Sequence, residues 1–123
     1  PTSLGVCASL GYETEIVEDL DERFPAAREA LDHGNVFLHL DEIDEYSHMK
    51  DWRRKVDILE HVDRKMEEYF SDCDRIIYFI DHGTSSITGE HLPIEGPFWT
   101  NYDTDVAQDE LVPLNTLVPR LIG

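Results

Sequence analysis

Apolar residues form two continuous runs and one helical stripe in the middle of the chain. The runs cover residues 36–40 and 75–80 and contain few polar side chains, which is typical of strands covered on both faces in a parallel sheet. Between them, apolar residues recur at steps of three and four over residues 51–70, which predicts a long amphipathic helix. We therefore expect residues 36–80 to form a strand–helix–strand unit with a right-handed crossover.

The residues before this unit predict a helix followed by a strand. Thr2 or Ser3 can cap a helix over residues 4–10, and Gly11 suits the left-handed position that ends it. Residues 12–17 alternate Tyr, Thr and Ile with Glu, which is the pattern of a half-buried strand.

A second helix is predicted to begin at Asp19 or Asp21 and to stop at residues 33–34. Near the other end of the chain, residues 101–110 are polar and acidic and predict a surface loop. Residues 111–122 are apolar and predict a short terminal helix packed on the sheet. With 123 residues and 41% hydrophobic side chains, we expect residues 1–123 to form a single α/β domain.

The net charge excludes some kinds of binding partner, and the cysteine content indicates a cellular compartment. The net charge of -17, from 27 acidic and 10 basic residues, argues against binding nucleic acid or an anionic membrane and favours bound cations. Cys7 and Cys73 are isolated in the sequence. We expect them to be small buried side chains and the protein to lie in a reducing compartment.

The sequence has no membrane-length apolar run and no leader pattern, so we expect a cytoplasmic protein. The chain begins at Pro1 and not at Met, which suits a processed, excised or truncated protein.

Aspartate and histidine side chains follow both apolar runs. Asp44 and His48 are four residues apart after the first run and would share one face of a helical turn. Asp81 and His82 directly follow the second run, and His91 lies in the polar loop beyond them. Ligands of open parallel sheets sit beyond the carboxyl ends of the strands, so we expect these side chains to converge.

Carboxylate and imidazole together suit Zn, Mn or Fe. The alternative for any one of these residues is that it simply satisfies backbone groups of its loop. Two metal ions about 4 Å apart are a common device for clamping a phosphoryl or sulfuryl group. The convergent set therefore predicts a metal-dependent site at this edge of the sheet.

These motifs resemble the alkaline phosphatase superfamily, in particular the archaeal type of cofactor-independent phosphoglycerate mutase. In that branch a strand ending in His leads to a D-E-x-x-H turn, then to an Asp and a Lys opening a long helix, matched here by His39, Asp44, Glu45, His48, Asp51 and Lys55. A later strand ends in Asp-His, with a Thr and another His beyond it, matched by Asp81, His82, Thr84 and His91. A Pro-containing strand then follows, like residues 96–99, so the resemblance covers the metal-motif region, residues 36–99.

The resemblance implies a partial or minimal three-layer alkaline-phosphatase-like α/β fold, with a mostly parallel sheet between helices. It also implies two divalent metal ions, with Mn, Zn or Mg as candidates, and a small phosphate or sulfate ester as substrate. One ion would be bound by Asp44, His48 and His91, and the other by Asp81 and His82.

In the family, a Ser nucleophile and a further Asp ligand come from an earlier segment that residues 1–35 do not match. Ser85 also stands where the archaeal pattern has Pro. We therefore expect the metal-binding portion of a phosphotransferase or hydrolase, completed by a missing N-terminal segment or a second chain. One alternative uses Thr2 or Ser3 as the nucleophile, although helix capping is the commoner role of such hydroxyls. The other is a degenerate, non-catalytic binding or assembly module that keeps the fold.

Overall fold

A computed structural model describes residues 2–122 of the protein. Over that range it contains five helices and four short strands. In chain order these are α1 (Thr2–Ser9), α2 (Leu20–Ala30), α3 (Glu42–His48), α4 (Trp52–Phe70), β1 (Ile77–Phe79), β2 (Gly83–Thr84), β3 (His91–Leu92), β4 (Phe98–Thr100) and α5 (Leu114–Ile122).

The helices begin where local side chains can satisfy their first backbone N–H groups. The Asp19 carboxylate accepts hydrogen bonds from the N–H groups of Asp21 and Glu22 at 2.8 and 3.3 Å, and α2 starts directly after it. The Asp51 carboxylate accepts the N–H of Arg54 at 3.1 Å, and α4 follows. Such caps supply partners for donors that the helix itself leaves free. The predicted starts of these two helices are confirmed.

The strands form two small antiparallel sheets. Strand β1 pairs with β4, with Ile77, Tyr78 and Phe79 opposite Thr100, Trp99 and Phe98. Strand β2 pairs with β3, with Gly83 opposite Leu92 and Thr84 opposite His91. The mixed α/β content is confirmed, but the expected mostly parallel sheet between helices is not found within residues 2–122. Strands β2 and β3 pair across the loop of residues 85–90, and β1 pairs with β4 across a longer segment that contains this hairpin. Antiparallel pairing of this kind needs no crossover helix.

Two segments predicted as strands are not strands in this structure. Residues 12–17 and 36–40 are assigned neither helix nor strand, so the strand–helix–strand unit is not formed as expected. Along residues 36–40, half-buried and exposed side chains alternate, and Val36, Leu38 and Leu40 pack against the core. Only one side of the segment is covered, whereas the prediction required burial on both faces of a parallel sheet.

The main core lies between α2 and α4. Phe24, Ala27 and Phe70 are buried there, and half-buried side chains from the second half of α4 surround them. At the start of α4, Trp52 and Val56 of the predicted stripe remain exposed. Only the second half of the predicted apolar stripe therefore packs against the core.

The remaining elements agree in part with the sequence predictions. Helix α5 forms near its predicted place and buries Leu117 and Leu121, and the Tyr102 hydroxyl donates to the Leu121 carbonyl at 2.9 Å. Cys7 and Cys73 are free thiols, half-buried where full burial was expected. No helix within residues 2–122 combines the length and the apolar character needed to cross a membrane.

Arg23 fixes the start of α3 against α2. Its guanidinium donates to both carboxylate oxygens of Glu42, with N···O distances of 2.6 and 2.9 Å. It also donates to the carbonyls of Val17 at 2.6 Å and Glu18 at 3.1 Å. Paired, fork-shaped contacts of this kind define orientation as well as distance. Arg23 thus sets where α3, which carries two of the predicted metal ligands, enters the fold.

Candidate metal centre

Helix α3 places Asp44 and His48 side by side, as their spacing predicts. Asp44 Oδ2 lies 3.1 Å from His48 Nε2. The helix then ends in a tight cap, because the N–H groups of Lys50 and Asp51 donate to the carbonyls of Ser47 and Tyr46, both at 2.9 Å. Lys50 has a φ of 58°, the left-handed conformation that such a cap requires. The cap turns the chain from α3, which carries these two predicted ligands, directly into α4.

His91 reaches this pair from strand β3. Its Nε2 lies 3.2 Å from His48 Nε2 and 3.9 Å from Asp44 Oδ1. One ligand atom from each of the three residues lies within 4.8 Å of the others. Two atoms bound about 2.1 Å from a tetrahedral ion lie roughly 3.4 Å apart, so the observed spacings fit a single small divalent ion.

The second predicted pair lies at the edge of this cluster. The His82 ring packs against the His91 ring, with centroids 4.0 Å apart. Asp81 Oδ2 is 3.8 Å from His82 Nε2, and Asp81 Oδ1 accepts the backbone N–H of His82 at 3.1 Å. The structure therefore brings His82 next to the three-residue cluster and leaves Asp81 on its outer side.

Two further groups contact the predicted ligands, and a third contacts one of those groups. His48 Nδ1 lies 2.7 Å from the Gly89 carbonyl oxygen. The Thr84 hydroxyl donates to Asp44 Oδ1 at 2.5 Å and lies 3.3 Å from His82 Nδ1. Lys55 Nζ donates to the Thr84 carbonyl at 3.1 Å. The resemblance marked Thr84 and Lys55, but the Gly89 carbonyl has no side chain that could signal its part in the site.

The Asp44 carboxylate is held in its ionised form. Burial of this carboxyl raises its pKa, but the hydrogen bond from Thr84 and the neighbouring imidazoles together outweigh burial, so the pKa of Asp44 lies below its ordinary value. The Asp44 and His48 side chains are 37% and 42% exposed. The site is thus an open, polar surface that a metal ion or a small ligand can reach.

The proposed nucleophiles lie elsewhere. Thr2 and Ser3 are within α1, and Ser3 lines a groove formed with residues 12–18 and 33–39. The groove extends to Glu45 on α3, but none of the five predicted ligands is among the described residues that line it. Among the described residues, no hydrogen bond joins either hydroxyl to the Asp/His cluster, so the self-sufficient alternative gains no support from this geometry.

The comparison with protein families identifies the group to which this chain belongs. A family model described as the Metalloenzyme superfamily matches residues 3–107, which include all five predicted ligands. The chain belongs to the Metalloenzyme superfamily. The match confirms the broad alkaline-phosphatase-like relationship that the motifs predicted. The comparisons with curated proteins and with solved structures found no match.

For a member of the Metalloenzyme superfamily, the donor set has the right chemistry for a divalent cation. With Nδ1 facing a carbonyl, which only accepts, the proton of a neutral His48 belongs on Nδ1. Nε2 then presents a lone pair towards Asp44 and His91. Converging acceptors repel one another unless a cation or proton lies between them. The arrangement therefore fits a metal ion.

Proposed function

We propose that this Metalloenzyme superfamily chain binds two divalent metal ions, with Mn, Zn or Mg as candidates. Asp44, His48 and His91 hold the first ion, and Asp81 with His82 contributes to the second. The observation that carries the first site is the convergence of ligand atoms from α3 and β3 within 4.8 Å of one another. The second site is supported by the position of His82, whose ring centroid lies 4.0 Å from that of His91.

The chain further acts as the metal-binding portion of an alkaline-phosphatase-like phosphotransferase or phosphohydrolase, closest to the archaeal cofactor-independent phosphoglycerate mutases. Bound ions would polarise a phosphate or sulfate ester and neutralise charge on its oxygens. The protein's own groups orient the ligands and hold a negative carboxylate at Asp44. Lys55 Nζ donates a hydrogen bond to the Thr84 carbonyl and adds a positive charge beside the site.

A nucleophile would come from an N-terminal segment or a second chain. Of the hydroxyls near the ligands in the described part of the chain, that of Thr84 already donates to Asp44. This contact supports a role for Thr84 in holding a ligand, and the proposal takes the attacking group from that other segment or chain.

Metal stoichiometry tests the proposal directly. The purified chain is dialysed to equilibrium against Mn²⁺ or Zn²⁺, and bound metal is measured by mass spectrometry. We expect two ions per chain, with Asp44→Ala/His48→Ala losing one and Asp81→Ala/His82→Ala losing the other. Asp21→Ala/His61→Ala removes an Asp/His pair that joins α2 to α4, and this control should keep both ions. If both site variants are folded by circular dichroism and still bind two ions per chain, the proposal is wrong.

A second candidate function is a non-catalytic binding or assembly module. The observation in its favour is the exposed apolar surface at the start of α4, where Trp52, Val56 and Leu59 are 57%, 43% and 44% exposed. Turnover of an aryl phosphate or sulfate by the purified chain, abolished by a chelator, would exclude this candidate.

A further inference from the structure

Residues 83–92, which we name the ligand hairpin, contact the metal centre at more than one point. The hairpin consists of β2, its connecting loop and β3, and it supplies His91 directly. It also contacts both ligands of α3 through groups that would not themselves bind the ion. Gly89 touches His48, and Thr84 touches Asp44.

The Gly89 contact determines which nitrogen of His48 faces the cluster. The carbonyl of Gly89 is an acceptor only, so the 2.7 Å contact requires a proton on Nδ1 and leaves the lone pair of a neutral ring on Nε2. Nε2 is the nitrogen that faces Asp44 and His91. A hydrogen bond of this kind fixes both the tautomer and the ring orientation of a metal-binding histidine.

The backbone at Gly89 leaves no room for a larger residue. Its φ is 74°, a conformation that favours glycine. A Cβ at this position would lie 2.8 Å from the backbone carbonyl oxygen of His48. The hairpin therefore approaches the end of α3 closely, and the carbonyl reaches the imidazole because no side chain intervenes.

The Thr84 contact has a similar effect on Asp44. Its hydroxyl donates to Oδ1 at 2.5 Å, while Oδ2 faces His48 Nε2 at 3.1 Å. Thr84 thus holds Oδ1, which lies 3.9 Å from His91 Nε2, and the carboxylate keeps Oδ2 directed at His48. Lys55 fixes Thr84 in turn, because its Nζ donates to the Thr84 carbonyl.

We infer that the ligand hairpin is the positioning element of the metal centre, with the Gly89 carbonyl orienting His48 and the Thr84 hydroxyl orienting Asp44. This inference rests on the proposed metal-binding function. Both groups act through the ligands that they contact. Loss of such outer contacts lowers metal affinity about 10–100-fold in other metal sites.

The first experiment reads the histidine tautomer without metal. Long-range ¹H–¹⁵N NMR of the metal-free wild-type chain, at a pH where the ring is neutral, should show His48 with its proton on Nδ1. A proton on Nε2 would overturn the role of Gly89, whether or not the chain binds metal. Absence of metal binding by the wild-type chain would instead overturn the proposed function, so the two failures are distinguishable.

The second experiment measures Zn²⁺ or Mn²⁺ affinity in variants. Thr84→Val should lower affinity about 10–100-fold, and Thr84→Ser, which keeps the hydroxyl, should restore it to within about threefold of wild type. Gly89→Ala should lower affinity and shift the His48 tautomer. Its control is Gly11→Ala, since Gly11 has a φ of 89° but open space around its Cβ position. A Thr84→Val affinity within threefold of wild type, or equal losses in Thr84→Val and Thr84→Ser, would overturn the inference.

Discussion

Replacing Arg23 with Met would remove the ion pair that holds α3 against α2 while keeping most of the side-chain length. Arg23 donates to both oxygens of Glu42 and to two backbone carbonyls. The Arg23 and Glu42 side chains are only 16% and 17% exposed. In the variant, the Glu42 carboxylate would remain largely buried with its main partner gone.

The expected loss of stability in Arg23→Met follows from the burial of this ion pair. Breaking a fully buried pair by removing one partner costs about 3–5 kcal/mol, and water can compensate only part of this at the exposure seen here. We expect Arg23→Met to lower the free energy of unfolding by about 2–4 kcal/mol. For a chain of 123 residues, this corresponds to a fall in Tm of roughly 10 °C.

Urea unfolding monitored by circular dichroism measures the change, and a double-mutant cycle with Glu42→Gln isolates the pairwise contribution. The double variant should recover part of the loss, because it removes the uncompensated charge. A loss below 0.5 kcal/mol in Arg23→Met, or full additivity of the two substitutions, would refute the reasoning.

Two further predictions concern acid stability and the β1–β4 sheet. The hydrogen bond from His61 holds the pKa of Asp21 below its ordinary value. This contribution to stability is therefore present above the unfolded pKa of about 3.9 and is lost as pH falls through the lower folded pKa. Asp21→Asn should flatten the pH dependence of the free energy of unfolding below about pH 4. An unchanged slope would contradict the assignment. A Cβ at Gly96 would lie 2.0 Å from the Ile80 carbonyl oxygen, so Gly96→Ala should destabilise the chain by more than about 2 kcal/mol. Gly5→Ala, in a helix with open space around it, should be neutral or stabilising, and equal Tm changes in the two variants would argue against the clash.

The helices were predictable because their signals are local. The carboxylates at Asp19 and Asp51 cap the first turns of α2 and α4 from within the adjacent sequence. Gly11, with a φ of 89°, follows α1 where a left-handed residue was expected. Capping depends on residues two or three positions away, so a single sequence contains the whole interaction.

The sheets were not predictable in the same way, because pairing depends on distant segments. The apolar character of residues 75–80 correctly indicated a strand, but β1 pairs with β4 and not with residues 36–40. An apolar run reports burial and does not specify its neighbour or their relative direction. The alternating exposure of residues 36–40 arises from packing on the core without a ladder.

The candidate site shows the same division. The spacing of Asp44 and His48 predicted their contact, since residues four apart share a helix face. The position of His91 beside Asp44 and His48 depends instead on the register between β2 and β3. The bond between Arg23 and Glu42 joins residues 19 positions apart, and the Gly89 carbonyl is a backbone group. Neither contact has a local pattern from which sequence reasoning could derive it.

The small size of the β2–β3 ladder bears on the kinetics of metal release. Only two residue pairs are in register between these strands, and local opening of so small a unit requires much less free energy than global unfolding. Each opening would withdraw His91 from a bound ion while α3 stays folded. Opening of the β2–β3 ladder would then limit the rate at which metal is released to a chelator. That rate should reach a plateau as the chelator concentration rises.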